Sequence, residues 1–351
     1  MKLTAIADVT RGRMKKLLIS NARLINEGAV REVDVLVHGD RIEQIGSGIS
    51  APPNAQIIDA AGKYLMPGMI DDQVHFREPG MTHKGDLATE SAAAAAGGIT
   101  SFMDMPNVNP LTVTRTALAD KYELARGRCT SNYGFYLGAT NQNIEEIKAL
   151  QVGEGAGIKA FMGASTGDML VDDPATLEQI FAHAPVIVLT HCEDSPMIWA
   201  NEAAAKERYG DDVPFTEHPN IRSAEACLKS STMAVDLATR HDALLHVLHL
   251  TTAIEMDLFS SAPRAEKRIT AEVCVHHLWF DDSRYPDLGA AIKCNPAIKR
   301  REDREALLAA LNAGRIDVIA TDHAPHTAEE KARHYFKAPA GLPLVQHAVL
   351  T

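Results

Sequence analysis

After Pro67, short apolar runs alternate along the chain with longer segments that have the apolar spacing of helices. The eight runs are MIDDQVHF, ITSFMDM, NYGFYLG, GIKAFMG, PVIVLTH, ALLHVLHL, RITAEVCV and IDVIATD. The segments between them include ATESAAAAAGG, NIEEIKALQ, DPATLEQIFAHA, IRSAEACLKSSTMAVDLATR and REDREALLAALNAG. Strands that alternate with helices predict a parallel α/β fold, and eight of them favour a closed (β/α)8 TIM-like barrel. An open doubly wound sheet is the alternative fold, but no G-x-G-x-x-G follows the first run.

Residues 15–65 have a different pattern, in which β-type runs are separated by Gly, Asn and Asp. The runs KLLISNARLI, DVLVHGDRIEQIG and AQIIDAAGKYLM predict a small antiparallel sheet that precedes a barrel of residues 66–351. Because Met14 begins this pattern, we expect residues 1–14 to be a leader or an upstream extension. The sequence stops inside the apolar run LVQHAVLT, which is typical of an interrupted chain.

Composition narrows the range of partners. The chain has 351 residues and a formal net charge of -11, which argues against a nucleic-acid-binding surface or an anionic membrane as the main partner. No apolar run is long enough for a membrane-spanning helix, and the N-terminus lacks the apolar centre of a signal peptide. The five cysteines are scattered and include no C-x-x-C pair, so we expect free thiols in a reducing compartment, by default the cytoplasm.

Polar residues at the ends of the apolar runs carry the candidate chemistry, because barrels of this kind place their active sites at the C-terminal ends of the strands. Four runs end in such residues: His75, His191, His249 and Asp322. A lone histidine at a strand end is more often a core or surface group than a ligand, but here four ends coincide. Imidazole and carboxylate groups suit Zn2+ or a similar divalent ion, and the sequence therefore predicts a metal site.

Two further features of the runs bear on this site. Side chains alternate along a strand, so the odd-numbered residues from Asp71 to Arg77 share one face if the first run stays extended. Lys159 lies inside the apolar run GIKAFMG, where an unpaired ammonium group would be costly. Four other histidines have no place at a strand end, and we assign them no role: His83, His183, His218 and His241.

Several of these motifs together resemble the dihydroorotases, which are cyclic amidohydrolases of the amidohydrolase superfamily. The resemblance rests on PGMIDDQVHFREPG, GIKAFMGAS, KCNP and DVIATDHAPHTAEEK, together with the His191 and His249 strand ends, and it begins at about residue 15. It implies a barrel with a small β-sandwich subdomain, of which residues 15–65 would be the first part. In the family the remaining sandwich strands follow the barrel. This chain ends before them, so we expect an incomplete sandwich.

The resemblance also implies a set of metal ligands. Carried over position by position, they are His75, Lys159, His191, His249 and Asp322. Together they would hold one or two Zn2+ ions. In relatives with a lysine at the position of Lys159, its amine reacts with CO2, and the resulting carbamate is an anionic oxygen donor that bridges two metals. Gln73 stands where the family has a histidine. We therefore expect the site near Gln73 to bind its ion more weakly than the site formed by His191 and His249, or not at all.

The activity implied by the resemblance is the reversible, metal-dependent interconversion of L-dihydroorotate and N-carbamoyl-L-aspartate in pyrimidine synthesis. Asp322 would take a proton from the attacking water and pass it to the leaving nitrogen. The planar guanidinium of Arg77 suits the substrate carboxylate. The substrate-binding residues implied are Arg77, Asn107, Asn295 and His326. Without the resemblance, Asn107 would equally well shape the turn before Pro110.

Two other functions stay open. One is that of another cyclic amidohydrolase, of the allantoinase, hydantoinase or dihydropyrimidinase type. Arg77 suits a substrate with a free carboxylate, which favours dihydroorotate over those rings. The other is a non-catalytic, dihydroorotase-like partner of aspartate carbamoyltransferase, which Gln73 favours slightly and the remaining ligand positions disfavour. A homodimer is compatible with each of these functions.

Overall fold

The computed structural model describes residues 16–163 and 169–350. The chain divides after Gly68 into two compact units. The predicted leader, residues 1–14, and the last two residues of the GIKAFMGAS motif lie outside the described residues.

The first unit is a five-stranded sheet. Its strands are β1 (Lys16–Asn26), β2 (Ala29–His38), β3 (Arg41–Gly46), β4 (Gln56–Asp59) and β5 (Tyr64–Leu65). Strands β1, β2 and β3 form consecutive antiparallel pairs, whereas β4 and β5 both lie parallel to β1. The prediction of an antiparallel sheet is therefore wrong for β4 and β5. Parallel pairing needs a crossover connection, and residues 47–55 provide it between β3 and β4.

The second unit contains an eight-stranded parallel sheet whose strands follow one another in chain order. They are β6 (Met69–Val74), β7 (Ile99–Asp104), β8 (Asn132–Gly138), β9 (Gly157–Phe161), β10 (Val188–His191), β11 (Leu245–Val247), β12 (Ile269–Cys274) and β13 (Val318–Ala320). Each predicted run contains one of these strands. A parallel bridge joins Val74 to His323, and the backbone N–H of His75 donates to the His323 carbonyl at 2.7 Å. These contacts connect the first strand to the last, and the predicted (β/α)8 barrel is confirmed.

Helices lie between successive strands along the chain, except that α11 follows the last strand and 3-10 helices alone separate β11 from β12 among the described residues. They are α1 (Leu87–Ala96), α2 (Arg115–Ala125), α3 (Ile144–Ala149), α4 (Pro174–His183), α5 (Ser195–Tyr209), α6 (His218–Ile221), α7 (Ala224–His241), α8 (Val275–Trp279), α9 (Tyr285–Leu288), α10 (Arg301–Asn312) and α11 (Ala328–Lys331). Short 3-10 helices span Phe215–Glu217, Ala253–Leu258, Arg264–Glu266, Asp282–Arg284 and Gly289–Ile292. The predicted helical segments coincide with α1, α3, α4, α7 and α10. Within the part of the chain that the structure describes, no helix is long and apolar enough to cross a membrane.

Side-chain caps explain where several of these helices begin. Asp86 accepts the backbone N–H groups of Ala88 and Thr89 at the start of α1. Asp173 accepts the N–H of Thr176, and Pro174 occupies the first position of α4, where its missing N–H is not needed. The caps fix where each helix starts relative to the strand end before it.

The main apolar core lies between the strands and the helices. Strand residues such as Phe102, Phe135 and Val188 are fully or almost fully buried against helix residues such as Leu118 and Ile180. Close packing of this layer holds the strands, and therefore the polar residues at their ends, in a rigid arrangement.

Candidate active site

A pocket of about 260 Å³ lies at the C-terminal ends of the barrel strands. Every predicted metal-binding and substrate-binding residue lines it, together with Gln73: His75, Arg77, Asn107, Lys159, His191, His249, Asn295, Asp322 and His326. Phe161, Ala324 and the segment 339–341 complete the wall. The structure thus brings together side chains that are far apart in the sequence.

The end of β6 differs from the prediction of one extended face. The strand ends at Val74, its pairing with β7 shifts register between Asp71 and Val74, and Arg77 has a left-handed φ of 70°. Asp71 does not line the pocket; its Oδ2 accepts the hydroxyl hydrogen of Thr321 at 2.6 Å. Burial raises the pKa of Asp71 to about 7. Asp71 is therefore a structural group, and the predicted common face is wrong at this residue.

His75 and Asp322 form the first pair of candidate ligands. Nδ1 of His75 donates to the amide oxygen of Asn107 at 2.8 Å, which leaves Nε2 facing Oδ1 of Asp322 at 3.1 Å. In a neutral imidazole, two lone pairs would meet there, so a proton or a cation must lie between them. Burial acts to raise the pKa of Asp322, but the hydrogen bond and charge of His75 outweigh it, and the pKa is lowered.

His191 and His249 form the second pair. Nδ1 of His191 lies 3.0 Å from Nε2 of His249. The other nitrogen of His191 bonds to the Glu193 carboxylate at 2.8 Å, and Glu193 in turn pairs with Arg222. A carboxylate that accepts from Nε2 leaves the Nδ1 lone pair free for a metal, as in carboxylate–histidine–metal arrangements. Burial lowers the pKa of both imidazoles, which favours the neutral, metal-binding form.

Lys159 lines the same pocket as the two pairs and is 1% exposed. Its Nζ is 4.5 Å from the centre of the Phe161 ring and has no hydrogen-bond acceptor among residues 16–163 and 169–350. Burial lowers the pKa of Lys159 to about 8. A buried amine with this pKa is substantially neutral in mildly alkaline solution, the form needed for reaction with CO2.

Gln73 lies against the first pair. Its Nε2 donates to Oδ1 of Asp322 at 3.1 Å, whereas its Oε1 faces the thiol of Cys274 at 3.8 Å. The amide therefore offers Asp322 a hydrogen, and its oxygen, the only atom able to bind a metal, points toward Cys274. This geometry supports the expectation that the His75–Asp322 pair holds a metal less firmly than the His191–His249 pair.

A basic wall faces the candidate ligands. Arg77 is 6% exposed; its Nε donates to the carbonyl of Pro325 at 3.1 Å, and its Nη2 lies 3.0 Å from Nε2 of His326. Lys84 Nζ lies 3.2 Å from Nδ1 of His326. Burial, followed by the charges of Arg77 and Lys84, lowers the pKa of His326 to about 3. Lys84 lies outside the pocket lining and is paired with the Glu330 carboxylate at 3.1 Å. The positive charge that lines this wall is that of Arg77, which suits an anionic group.

The sequence did not point to several residues that shape this pocket. Glu193 stands two residues after His191, where β10 ends, so strand alternation does not extend to it. Lys84 and Gly341 come from loops, where no periodicity signals their position. The histidines without an assigned role do not line the pocket. One of them, His218, is fully buried and bonds to the Tyr335 hydroxyl and a backbone carbonyl.

The donor set fits a divalent metal. The His75–Asp322 pair, the His191–His249 pair and the buried Lys159 line one pocket. Nδ1 of His249 has no hydrogen-bond partner among the described residues. Outside the pocket lining, two further groups of described residues have ligand atoms within 4.8 Å of one another. They are Cys274, His276 and His277, and Asp72, His246 and Glu272.

Comparisons with known proteins agree with the resemblance seen in the motifs. The sequence model of the Amidohydrolase family matches residues 64–338. The dihydroorotase of Bacillus cytotoxicus is 35% identical over 332 residues, which cover 93% of this chain and 75% of that protein. The dihydroorotase of Methanosarcina acetivorans is 33% identical over 344 residues, which cover 95% of this chain and 72% of that protein. Among solved structures, the L-hydantoinase (dihydropyrimidinase) of Arthrobacter aurescens has a TM-score of 0.88 at 25% identity, over 96% of this chain and 76% of that one.

Proposed function

The chain belongs to the amidohydrolase family, and from this premise we propose that it is a dihydroorotase, which interconverts L-dihydroorotate and N-carbamoyl-L-aspartate. The observation that carries the proposal is the presence, in one pocket, of metal-type donors together with Arg77 and His326, whose side chains lie 3.0 Å apart. The donors suit hydrolysis of an amide, and the wall suits a substrate that carries a carboxylate. Dihydroorotate has both groups.

The metal would be Zn2+, one or two ions per chain. The residues that would hold it are His75, Lys159, His191, His249 and Asp322. A bound divalent ion supplies Lewis acidity, which polarises a carbonyl oxygen and lowers the pKa of water. As a carbamate, Lys159 would add an anionic oxygen donor to this ligand set. Its burial without a hydrogen-bond acceptor among the described residues supports this, because a carbamate with a metal partner removes the cost of a bare buried amine.

The substrate carboxylate would bind at Arg77, whose guanidinium is held in place by the Pro325 carbonyl. Asn295 would meet the polar edge of the ring. Its Oδ1 is buried and has no partner among the described residues, so a ring N–H would satisfy an acceptor that is otherwise unpaired. Asn107 binds Nδ1 of His75 through its side-chain oxygen, and its amide hydrogens are the atoms it would offer to the substrate.

Asp322 would move the proton. In the hydrolytic direction, water oxygen adds to the ring carbonyl carbon, Asp322 accepts the water proton, and the C–N bond breaks as that proton passes to nitrogen. His75 and Gln73 both contact Oδ1 of Asp322, which holds the carboxylate in one orientation. The lowered pKa of Asp322 keeps it ionised and ready to accept a proton.

A second candidate function follows from the likeness to the L-hydantoinase structure. A hydantoinase or dihydropyrimidinase would act on a ring without the free carboxylate. Arg77 would then have no anionic partner in the substrate, which is why dihydroorotate is the preferred assignment. The non-catalytic partner of aspartate carbamoyltransferase is the third function, and the fit of the donor set argues against it.

The test is a substrate panel on the Zn2+-loaded protein with parallel metal analysis. Ring opening of dihydroorotate, dihydrouracil, hydantoin and allantoin is measured as kcat/KM, and the reverse reaction is measured with carbamoyl aspartate. We expect dihydroorotate to have the highest kcat/KM. Faster turnover of a ring that lacks the carboxylate would support the second function. Absence of turnover in a protein that holds metal would support the non-catalytic one.

A further inference from the structure

A cluster of three ionisable side chains lies in the barrel interior, outside the lining of the pocket. Asp72 is on β6, His246 on β11 and Glu272 on β12. Other strands separate β6 from β11 in both directions around the sheet, so the approach of Asp72 to His246 crosses the interior. The ligand atoms of the three residues all lie within 4.8 Å of one another.

Each residue of this cluster has one buried ligand atom without a hydrogen bond among the described residues, and in His246 and Glu272 these are the atoms that face each other. His246 is 4% exposed and Glu272 is 0% exposed. Within the described residues, Nε2 of His246, Oε2 of Glu272 and Oδ1 of Asp72 are buried without a partner. Nε2 of His246 lies 3.4 Å from Oδ2 of Asp72 and 3.4 Å from Oε2 of Glu272. Both separations exceed the usual N–H···O range of about 2.7–3.2 Å.

The other nitrogen of His246 indicates which tautomer is present. The Thr270 hydroxyl donates to the carbonyl of Leu245 at 3.2 Å, so its oxygen accepts a hydrogen from Nδ1 of His246 at 2.7 Å. With one hydrogen on Nδ1, the imidazole directs Nε2 at two carboxylates. Burial acts to lower the pKa of His246, but Asp72 and Glu272 outweigh it and raise the pKa to about 9, so Nε2 holds either a proton or a metal ion. Donation from one ring nitrogen and a free lone pair on the other is the arrangement found in histidines that bind metals.

The charges of the cluster require a partner. Without a cation at Nε2 of His246, the carboxylates of Asp72 and Glu272 would leave negative charge in the barrel interior, where an unpaired ion is costly. A proton on Nε2 would face both carboxylate oxygens at 3.4 Å, beyond the usual hydrogen-bond range of about 2.7–3.2 Å, whereas a metal ion between the three atoms matches this separation. A divalent cation would neutralise both carboxylates and occupy the lone pair of His246. It would satisfy all three residues at once.

We propose that Asp72, His246 and Glu272 bind a divalent cation of the Zn2+ class at a site separate from the pocket. Bonds of about 2.0–2.2 Å from zinc to imidazole nitrogen and carboxylate oxygen place the ligand atoms of a tetrahedral site about 3.3–3.6 Å apart. Both measured separations from His246, 3.4 Å, lie in this range. Three protein ligands leave the fourth position to water, and Asp72, whose side chain is 18% exposed, provides access from solvent.

The cation would also act on the pocket through Glu272. Oε1 of Glu272 accepts the backbone N–H of His249 at 3.0 Å, at a residue whose φ of 40° is left-handed. A cation on Oε2 would fix this carboxylate and so hold the backbone of His249. Glu272 is therefore a positioning residue for His249.

Zinc binding by a variant whose pocket has lost metal ligands tests the proposal, whatever reaction the pocket performs. In His75→Ala/His191→Ala, each histidine pairing of the pocket loses one imidazole, and the three cluster residues are unchanged. After equilibrium dialysis against Zn2+, metal analysis should find one ion per chain. Addition of Asp72→Asn keeps the side-chain shape but removes its charge. It should weaken this binding at least about 10-fold, since loss of an outer partner of a ligand alone costs about 10- to 100-fold.

Asp71→Asn in the same double variant is the matched control. Asp71 is the neighbouring carboxylate, but its oxygens bond to Thr321, so the ion should remain. Co2+ in place of Zn2+ gives a second readout, because the visible absorption of four-coordinate Co2+ should be lost only with Asp72→Asn. If the double variant does not fold, the wild-type chain and its Asp72→Asn variant should differ by one bound ion. Three results would overturn the proposal. The first is equal zinc affinity when Asp72→Asn or Asp71→Asn is added to the double variant, and the second is a folded double variant that binds no ion. The third is an equal number of bound ions in the wild-type chain and its Asp72→Asn variant.

Discussion

Gln73 donates its side-chain amide to Oδ1 of Asp322 at 3.1 Å, the same oxygen that faces Nε2 of His75 at 3.1 Å. A histidine at position 73 could direct a lone pair to a metal, whereas the amide nitrogen directs a hydrogen to the carboxylate. In the proposed mechanism, Asp322 would thus be oriented for proton transfer, while the proposed metal site beside it would have one ligand fewer. The contact explains how a single substitution can weaken one ion of a pair and preserve the acid–base group.

Gln73→His should strengthen metal binding at the His75–Asp322 pair, because imidazole is a better zinc ligand than an amide. We expect a higher Zn2+ content per chain after dialysis and slower loss of zinc to a chelator. Gln73→Ala is the matched control, since it removes the hydrogen bond to Asp322 without adding a ligand. A gain of zinc in Gln73→Ala equal to that in Gln73→His would show that release of Asp322, and not the imidazole, is responsible.

Arg77→Ala should raise the KM for dihydroorotate by about 10- to 100-fold, with a smaller change in kcat. A hydrogen bond to a charged group contributes about 1.5–3 kcal/mol, and about 1.4 kcal/mol corresponds to a factor of ten. Arg77→Lys keeps the charge but loses the planar guanidinium, so its KM should lie between those of the wild-type chain and Arg77→Ala.

The control for Arg77 is Arg126→Ala, at an exposed arginine that pairs with Glu123 at the end of α2. It should leave the KM unchanged. Steady-state kinetics of the folded variants provide the measurement. If Arg77→Ala binds dihydroorotate as well as the wild-type chain does, Arg77 has no part in carboxylate recognition.

The strand pattern predicted that His75, His191, His249 and Asp322 meet, because the C-terminal ends of parallel strands must lie on one side of a barrel. Asn107, Asn295 and His326 came only from the family resemblance. The positions of His191, His249 and Asp322 followed directly from the prediction of the strands that precede them. The pattern could not predict the direction of Asp71, because that depends on the register shift near the end of β6. The alternation of side chains predicts their directions only within a regular strand.

Loop residues were beyond prediction for a different reason. Lys84 reaches His326 only because two loops distant in sequence pack together, and neither loop has a hydrophobic period. Gly341 lines the pocket with a φ of 137°, and a Cβ there would lie 2.5 Å from the Ala324 carbonyl oxygen. Such a constraint is visible only once the neighbouring backbone is known.

Glu193→Gln should weaken zinc binding at the His191–His249 pair by about 10- to 100-fold, the usual cost of losing an outer partner of a ligand. The carboxylate accepts from Nε2 of His191 and leaves the Nδ1 lone pair available. An amide can donate to Nε2 instead, which would place the hydrogen on Nδ1 and block the metal. Competition with a chromophoric chelator measures the change.

Glu255→Gln is the control for Glu193. Glu255 is also fully buried, but its carboxylate bonds to Ser231 and Thr252, away from the pocket lining. It should leave zinc affinity unchanged even if it lowers the melting temperature. Equal zinc affinity in Glu193→Gln and the wild-type chain would mean that Glu193 does not orient His191 for metal binding.

Lys293 should make the stability of the fold depend on pH. Its Nζ donates to the carbonyls of Tyr335 and Ala338 at 2.6 and 2.7 Å, and so anchors the segment that leads to the pocket wall at 339–341. Burial, followed by the charges of Arg222 and Lys331, lowers its pKa from 10.5 to about 7. Between these values the unfolded chain binds a proton that the folded chain does not, so this group makes stability rise with pH from about 7 to about 10.5.

Lys293→Met removes this titration, so its free energy of unfolding should increase less with pH over that window than that of the wild-type chain. Urea unfolding at several pH values from about 7 to about 10 measures the difference. Lys337→Met, at an exposed lysine in the same segment, should follow the wild-type curve. If the curves of Lys293→Met and the wild-type chain run parallel, Lys293 is charged in the fold. Its two carbonyl partners would then stabilise the ammonium form against the effect of burial.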